Sequence, residues 1–435
     1  MKLPDPLVIA AEGIAAAARR SPTRAHVGRR QGRLAARHLP WVLRHSPWTA
    51  GRFAEAGLPA GRWRELPAVD KADMMGNFDR LNTVGARLED VLALAQRAES
   101  SRDFTGQLAT PSGPVGVGLS TGTSGAQGAF VVSRQDRLRW AGTILAALFH
   151  PFPWALRRPQ RVAFFLRADG GLYRTAASSR VRIDFYDILR PVPELAAELS
   201  GSSPTLVVGP PSVLLAVAKA GGKARPRQVV SVAEVLEDSA RDQLTRQFEA
   251  PVVQIYQATE GLLGLPCPAG SLHLAEEHVH VELEEVDRGL VRPVITDLRR
   301  RAQPMIRHRL NDLLELDTTC SCGRATHRIR RIVGRQDDAL ELPGPTGPVT
   351  IWPDFLRAAA SRVPGLTDYH LVQTGGAALR LELAPWDPAV REAARDVVTA
   401  ELRRHGVLPE RVTLEECPWQ PFPPGTKLRR VYRTV

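Results

Sequence analysis

Short apolar runs alternate with helical stretches in the middle of the chain, from about residue 161 to residue 256. The runs are rich in Val, Ile, Leu and Phe, and they cover residues 162–166, 183–186, 206–208, 229–232 and 252–256. A parallel sheet covered by helices on both faces has this pattern, because its strands have no polar face. The sequence therefore predicts an α/β fold with such a sheet at its centre.

The regions on either side follow other patterns. Residues up to about 110 are helical and rich in loops, and Asp70 is a candidate cap of a short helix. A further helix is predicted to begin at Ser133, whose hydroxyl can cap it, and to run to Phe149. Apolar and polar side chains alternate within residues 279–295, which indicates antiparallel strands.

The C-terminal part of the chain has the pattern of a separate unit. A helix is predicted from Asp387 to Arg404, and Gly406 ends it. Its apolar stripe consists of Val390, Ala394, Val397 and Leu402. We expect a large N-terminal domain over residues 1–336, with mixed sheets and helices, and a small C-terminal α+β domain over residues 337–435, joined by a short hinge.

The chain carries a formal net charge of +12, but its arginines are scattered along the sequence. It has no run of five basic residues and no aromatic interleaving of the kind that a nucleic-acid groove needs. We expect a basic, solvated surface that attracts anionic substrates, and no nucleic-acid partner. A polyanion-binding scaffold is the alternative outside catalysis.

Two apolar stretches are candidates for an export signal or a membrane span. The first twenty residues are interrupted by Asp5 and Glu12, and the segment 140–156 is short and contains Pro151 and Pro153. We therefore expect no membrane partner and a cytoplasmic protein.

A segment rich in hydroxyls and glycines follows Leu119. Its sequence is Ser120-Thr121-Gly122-Thr123-Ser124-Gly125-Ala126-Gln127-Gly128. Backbone and hydroxyl donors on such a loop can surround phosphate oxygens. The segment is not a Walker loop, because Ala126 and Gln127 stand where that motif requires Lys and Ser or Thr. A plain polar turn is the alternative.

The segment 256–260 places an aromatic ring, a hydroxyl and a carboxylate at the end of a predicted buried strand. Ligands bind at the carboxyl ends of strands in open α/β sheets. Tyr256 can stack on a base, Thr259 can donate to phosphate, and Glu260 can hold Mg²⁺, which prefers oxygen ligands. The alternative is a strand-to-helix turn in which Glu260 caps the next helix.

Two later motifs carry further candidates. Asp312 is a candidate acceptor for ribose hydroxyls, and Arg335, just before Asp337 and Asp338, is a candidate contact to sugar or phosphate. Structural ion pairs are the alternative. Lys427 lies on a Gly/Pro-framed segment near the C-terminus, where a lysine can bridge a carboxylate and an α-phosphate. A basic tail is the alternative there.

In this order, the four motifs resemble those of the adenylate-forming superfamily of acyl-CoA ligases and adenylation domains. The resemblance covers about residues 60–435 and is greatest to the branch of phenylacetate-CoA ligases and deazaflavin-adenylylating synthetases. It is carried by residues 256–260, 309–312 and 334–338. The large domain with a small, mobile C-terminal domain is the architecture that this family implies.

The resemblance also implies a role for each motif. Thr259 would touch phosphate, Glu260 would ligate Mg²⁺, and Lys427 would be the lysine of the adenylation step. Asp337 matches the hinge about which the C-terminal domain turns, and Gln127 stands where many members carry a lysine. The residues expected to contact ATP are Ser120, Thr121, Gly122, Thr123, Ser124, Gly125, Ala233, Glu234, Tyr256, Gln257, Asp312 and Arg335.

Three of the four cysteines and one histidine form a possible metal site. Cys267 is followed by His273, and Cys320 is followed by Cys322. Three thiolates and an imidazole satisfy tetrahedral Zn²⁺ with no open position, which is typical of a structural site. Some relatives in the branch resemble the chain in carrying such a site. Buried free thiols are the alternative, and Cys417 stands apart from the set.

The implied reaction has two steps. A small carboxylic acid attacks MgATP with release of pyrophosphate, and an acceptor then attacks the acyl-adenylate. Coenzyme A is the acceptor that the resemblance favours, while a carrier-protein thiol, an amine, or transfer of AMP to a cofactor hydroxyl are alternatives. A homodimer is a family expectation. Candidates for an acyl pocket, with the aromatic residues alternatively in the sheet core, are Phe164, Phe165, Tyr173, Gly261 and Gly264.

Overall fold

The computed structural model describes most of the chain. The described residues are 4–19, 21–119, 128–167, 175–287, 289–317, 319–335, 338–360, 362–420 and 429–434. Contacts divide the chain into two compact units, the first made of Met1–Leu310 and Leu316–Arg330, the second of Asn311–Glu315 and Arg331–Val435. The domain boundary predicted between residues 336 and 337 falls outside the described residues and stays a prediction.

The N-terminal region of the first unit is helical, as predicted. Its helices are α1 (Asp5–Ala17), α2 (Arg24–His45), α3 (Pro47–Glu55), α4 (Lys71–Gly76), α5 (Phe78–Leu81) and α6 (Leu88–Ser101). Asp70 caps α4, because its Oδ1 accepts from the N–H of Asp73 at 3.0 Å. The Asp73 carboxylate accepts in return from the N–H of Asp70, which completes a capping box.

A hairpin and a helix follow. Strands β1 (Val115–Leu119) and β2 (Ala129–Ser133) pair antiparallel, and α7 (Arg134–Leu148) begins directly after β2. The Oγ of Ser133 accepts from the N–H of Asp136 at 3.1 Å, so the predicted cap of this helix is confirmed.

The predicted parallel sheet is present. Its strands are β3 (Gln160–Leu166), β4 (Val181–Asp187), β5 (Leu206–Gly209), β6 (Gln228–Ser231) and β7 (Val252–Gln254), in the order β4-β3-β5-β6-β7. The connecting helices are α8 (Val192–Gly201), α9 (Pro211–Lys219) and α10 (Asp238–Phe248). The α/β class is confirmed.

The two faces of this sheet are buried in separate clusters. Phe164 lies in one cluster and its neighbour Phe165 in the other, because successive side chains of a strand point to opposite faces. The two rings therefore belong to the sheet core and do not line one acyl pocket together. Tyr173 lies outside the described residues.

A second sheet of the first unit follows the parallel one. Its strands are β8 (Tyr256–Ala258), β9 (Gly261–Pro266), β10 (Leu272–Leu274), β11 (Val279–Asp287), β12 (Leu290–Asp297) and β13 (His308–Arg309). The β11–β12 hairpin pairs Val279 with Asp297, so the antiparallel strands predicted there are confirmed. Strands β14 (Asp312–Asp317) and β15 (Arg328–Arg335) contribute residues to both units.

The second unit has a core of its own. It contains β16 (Leu340–Pro343), β17 (Pro348–Ile351), α11 (Pro353–Ala360), β18 (Asp368–Gly375), β19 (Ala378–Ala384), α12 (Pro388–Arg404), β20 (Thr413–Pro418) and β21 (Val431–Arg433). The sheet order is β20-β19-β18-β21. Asp387 caps α12, and Val398 rather than the predicted Val397 is buried with Val390, Ala394 and Leu402.

Among the described residues, no helix combines the length and the apolar character that crossing a bilayer requires.

Candidate nucleotide and metal sites

The turn at Thr259 and Glu260 joins two antiparallel strands, β8 and β9. The strand predicted over residues 252–256 ends at Gln254, and Tyr256 opens β8 instead. The N–H of Ile255 still donates to the carbonyl oxygen of Ser231 at 3.1 Å, so β8 begins just past the carboxyl ends of β6 and β7 and leads from there to the turn. The alternative of a strand-to-helix turn is wrong, because a strand follows Glu260.

Tyr256 is buried against a glycine. A Cβ atom at Gly264 would lie 3.0 Å from the Cβ of Tyr256 and 3.1 Å from the carbonyl oxygen of His273. A side chain at this position would displace the tyrosine or the neighbouring strand. Gly264 thus permits the close approach of β8 and β9, and Gln257, next to Tyr256, is half-buried.

Two buried residues that the sequence reasoning missed flank the turn. Arg300 donates from Nη1 to the carbonyl oxygen of Thr259 at 2.8 Å. The imidazole of His308 lies beside Glu260 and is 2% exposed. The sequence does mark Arg300: residues 299–301 are three consecutive arginines between the apolar segment of β12 and Ile306, an unusual place for basic residues in a buried region.

Ala233 and Glu234, which are expected to contact ATP and which the resemblance assigns to a strip lining the adenine, follow β6. Ala233 has a φ of 67°, a left-handed conformation that favours glycine. The carboxylate of Glu234 accepts from the hydroxyl of Ser212 at 2.9 Å and from its N–H at 3.2 Å, in the first turn of α9. Glu234 therefore caps this helix, and the contact of Ala233 and Glu234 with ATP stays a prediction.

Asp312 and Arg335 lie together in the second unit. Asp312 is the first residue of β14, Arg335 is the last of β15, and Nε of the arginine is 3.7 Å from Oδ1 of the aspartate. The two side chains are partly exposed. The structure thus brings these two predicted residues into an ion pair, at the start of β14 and the end of β15, which are adjacent strands of one sheet.

Several predicted site residues lie outside the described residues, and their roles stay predictions. They are Ser120, Thr121, Gly122, Thr123, Ser124, Gly125, Gln127, Asp337 and Lys427.

The predicted metal ligands come together in the first unit. One ligand atom from each of Cys267, His273, Cys320 and Cys322 lies within 4.8 Å of all the others. Two tight turns present the thiols: the N–H of Gly270 donates to the carbonyl oxygen of Cys267, and that of Gly323 donates to Cys320. Cys417 lies elsewhere, on β20 of the second unit. The cluster can hold a metal ion.

Thr326 orients the histidine of this cluster, and the sequence reasoning missed it. Nδ1 of His273 lies 3.0 Å from the carbonyl oxygen of Thr326, which can only accept, so Nδ1 carries the proton. Nε2 is then the acceptor, and it faces Sγ of Cys322 at 3.5 Å. A backbone carbonyl that accepts from the ring nitrogen turned away from the metal, and so fixes the tautomer, is typical of metal-ligating histidines.

The thiols differ in acidity. Burial acts to raise the pKa of Cys320, but hydrogen bonds, first that from the backbone N–H of Cys322 and then that with His273, lower it to about 6. A thiolate at this position suits a metal ligand, since metals bind the deprotonated sulfur.

No protein-family model matches the sequence. A curated relative, phenylacetate-coenzyme A ligase of Thermus thermophilus, is 29% identical over 144 residues, which are 30% of this chain and 31% of that protein. The match therefore spans about a third of the relative's length.

Two solved structures of 2-hydroxyisobutyryl-CoA ligase share the fold. The postadenylation state in complex with 2-HIB-AMP has a TM-score of 0.70 at 18% identity and covers 95% of this chain and 91% of that chain. The open conformation in complex with 2-HIB-AMP and CoA has a TM-score of 0.60 at 19% identity and covers 95% and 92%. The resemblance to the adenylate-forming superfamily and its phenylacetate-CoA ligase branch is confirmed, and the chain has the fold of these ligases.

Proposed function

We propose that the protein activates a small carboxylic acid with ATP and passes the acyl group to coenzyme A. The observation that carries this proposal is the Thr259–Glu260 turn, to which β8 leads from the carboxyl ends of β6 and β7, in a fold shared with CoA ligases. A carboxylate and a hydroxyl at that edge suit a magnesium-bound triphosphate.

In the first step, an oxygen of the substrate carboxylate attacks the α-phosphorus of ATP, and pyrophosphate leaves. Tyr256 stacks on the adenine, beside the backbone of Ala233 and Glu234 and the side chain of Gln257. Thr259 donates to a phosphate oxygen. Glu260 would hold Mg²⁺, which would neutralise phosphate charge when bound. The protein acts mainly by alignment and charge neutralisation.

The remaining roles concern the phosphates, the ribose and the acid. Donors of the segment Ser120, Thr121, Gly122, Thr123, Ser124 and Gly125 surround the phosphates. Asp312 accepts from the ribose hydroxyls, with its ion-pair partner Arg335 alongside. Lys427 bridges the carboxylate and the α-phosphate as negative charge develops, and the C-terminal domain turns about Asp337 before the second step.

In the second step, a thiol sulfur attacks the acyl carbon of the adenylate, and AMP leaves with the former carboxylate oxygen. Coenzyme A is the proposed thiol, because the curated relative and the two solved structures described above are CoA ligases, one of those structures in complex with CoA. A carrier-protein thiol, an amine and a cofactor hydroxyl are the competing acceptors.

The products identify the acceptor. Purified protein is incubated with MgATP, a panel of aromatic and short carboxylic acids, and coenzyme A, and the mixture is analysed by mass spectrometry. An acyl-CoA thioester and AMP in equal amounts are expected. An AMP adduct of a hydroxyl compound formed without any acid would contradict the proposal and favour nucleotidyl transfer.

We also propose that the cluster of Cys267, His273, Cys320 and Cys322 holds a structural Zn²⁺. Three thiols and one imidazole nitrogen match the softness and the number of ligands that zinc prefers. The donors fill a tetrahedral shell, so the ion would join the turn at Cys267 to the turn at Cys320 and leave no position for a substrate.

A further inference from the structure

Arg300 connects the Thr259–Glu260 turn of the candidate nucleotide site to strand β2. Its side chain is among the largest of the fully buried ones and is 1% exposed. Nη1 donates to the carbonyl oxygen of Thr259 at 2.8 Å, and Nη2 donates to the carbonyl oxygen of Val131 at 3.3 Å. The same guanidinium therefore contacts the turn that carries Glu260 and strand β2, which follows segment 120–128 directly along the chain.

Gln303 completes this connection. Its Oε1 accepts from the N–H of Val131 at 3.0 Å and from Nη2 of Arg300 at 3.2 Å. Strand β2 pairs with β1 in a sheet of two strands, so side chains rather than another strand satisfy the backbone of Val131 on its other edge. The two side chains thus fix where β2 lies relative to Thr259.

The base of this connection is a tight turn. Oδ1 of Asp297 accepts from the N–H of Arg299 at 2.8 Å and from the N–H of Arg300 at 2.9 Å. These bonds fix the backbone of Arg300, from which the side chain extends to the two carbonyl groups. The Arg300 guanidinium also lies over the ring of Trp140, 5.6 Å from its centroid, which limits its movement from another side.

A buried guanidinium is a poor choice for stability alone. Taking a charge out of water is costly, and well-packed apolar residues often stabilise a core equally or better. The direct hydrogen bonds of Arg300 go to two backbone carbonyls and one amide, while the charges of Asp136, Asp297 and Glu260 act on it from its surroundings. A planar fork of donors does, however, hold two acceptors at a set separation.

We propose that Arg300 is a positioning residue that fixes the Thr259–Glu260 turn relative to strand β2, with Gln303 orienting it. This inference rests on the proposed function, in which the turn meets the triphosphate. A shift of the turn would move Glu260, the proposed Mg²⁺ ligand, away from the phosphates.

Arg300→Lys tests the proposal. The lysine keeps the positive charge, but its single ammonium cannot hold both carbonyls in the same geometry. The kcat of acid-dependent ATP–pyrophosphate exchange should fall roughly ten- to hundredfold, as for a misplacement on the order of 1 Å. The Mg²⁺ concentration for half-maximal exchange should rise as well. A purely structural role would reduce kcat only in proportion to the folded fraction and leave the Mg²⁺ requirement unchanged.

Arg241→Lys is the matched control. Arg241, on α10, donates from Nη1 to the carbonyl oxygen of Val252 at 2.7 Å, at the opposite end of β7 from the candidate site. This variant should keep both kcat and the Mg²⁺ requirement. Gln303→Met serves as a second test, because it removes the acceptor for Val131 while leaving Arg300 in place.

Hydrogen exchange separates failure of this inference from failure of the proposed function. In Arg300→Lys, amides of segments 129–133 and 259–266 should both exchange faster, and in Arg241→Lys neither should. If the wild-type protein proves inactive but the two variants show this pattern, the proposed function is contradicted, while the role of Arg300 in holding the two segments is supported. If the wild type is active and both Arg300→Lys and Gln303→Met keep its kcat and Mg²⁺ requirement, the positioning role of Arg300 is overturned. Failure of both variants to fold would also overturn it.

Discussion

Nε2 of His308 lies 3.9 Å from Oε1 of Glu260 inside the first unit. Burial lowers the pKa of His308, and the opposing charges of Glu260 and Asp70 do not reverse this, so the imidazole is neutral near pH 7. The imidazole therefore adds no positive charge that would compete with a cation for the Glu260 carboxylate.

Replacement of this carboxylate should change the magnesium requirement. In Glu260→Gln, the Mg²⁺ concentration for half-maximal ATP–pyrophosphate exchange should rise by about tenfold or more. Even mutation of groups that only hold a metal ligand in place lowers metal affinity about 10- to 100-fold. Titration of the exchange rate with Mg²⁺ measures the effect. Glu285→Gln, at an exposed position of β11, is the control, and equal Mg²⁺ curves for the two variants would exclude Glu260 as a ligand.

Zinc should copurify with the protein through the thiol cluster. Metal analysis of the purified chain should find about one Zn²⁺ per chain, and Cys320→Ser should lose it, because tetrahedral structural sites need all four ligands. Cys417→Ser, in the second unit, should keep the metal. Absence of bound metal from the wild-type protein, or retention of zinc by Cys320→Ser, would contradict the site.

Ala233 should be replaceable by glycine with a gain in stability. The left-handed conformation costs a non-glycine residue about 1–2 kcal/mol, and glycine adopts it freely. After the larger entropy of the unfolded glycine chain is subtracted, Ala233→Gly should raise the free energy of unfolding by up to about 1 kcal/mol.

Denaturant unfolding measures the difference. Ala218→Gly, in helix α9, is the control and should lower the unfolding free energy by roughly 0.5–1 kcal/mol, because there glycine loses entropy without relieving strain. A loss of similar size in both variants would show that Ala233 is not strained.

The stability of the protein should fall with acid partly through His278. Burial, then the charges of Arg299 and Arg19, lower the pKa of this histidine from 6.5 to about 3. Between these two pH values the unfolded chain binds a proton that the folded chain does not, so the free energy of unfolding decreases as the pH falls.

His278→Asn should therefore flatten the dependence of stability on pH. The slope of unfolding free energy against pH should decrease between pH 6.5 and 4.5, by an amount that corresponds to up to about one fewer proton bound on unfolding. Urea unfolding at several pH values measures it for both proteins. Equal slopes would show that His278 does not contribute to acid sensitivity.

Local sequence patterns predicted the parallel sheet because its strands are continuous apolar runs, buried on both faces, and predicted the hairpin because apolar and polar side chains alternate along it. The break at Ile255 was missed, since its N–H still bonds to Ser231 while Tyr256 already pairs in another sheet, and no apolar pattern distinguishes the two. Val397 was chosen over Val398 in α12 because the two differ by a single step around the helix.

Candidate site residues were recognised where residue type alone indicates chemistry. Spacing and ligand chemistry suggested Cys267, His273, Cys320 and Cys322, and the structure brings them together. Arg300 and Thr326 were missed because their roles depend on backbone carbonyls far away in the sequence. The carboxylate of Glu234 also caps α9, a partner visible only when the fold brings Ser212 next to it.

The exchange of labelled pyrophosphate into ATP, with and without a carboxylic acid, tests the central claim most directly. The account predicts an exchange rate that depends on the acid, that falls strongly in Lys427→Ala, and that is retained in Lys223→Ala, where the lysine is exposed. No exchange with any acid of a broad panel would contradict acyl-adenylate formation, and an undiminished rate in Lys427→Ala would contradict the role of that lysine.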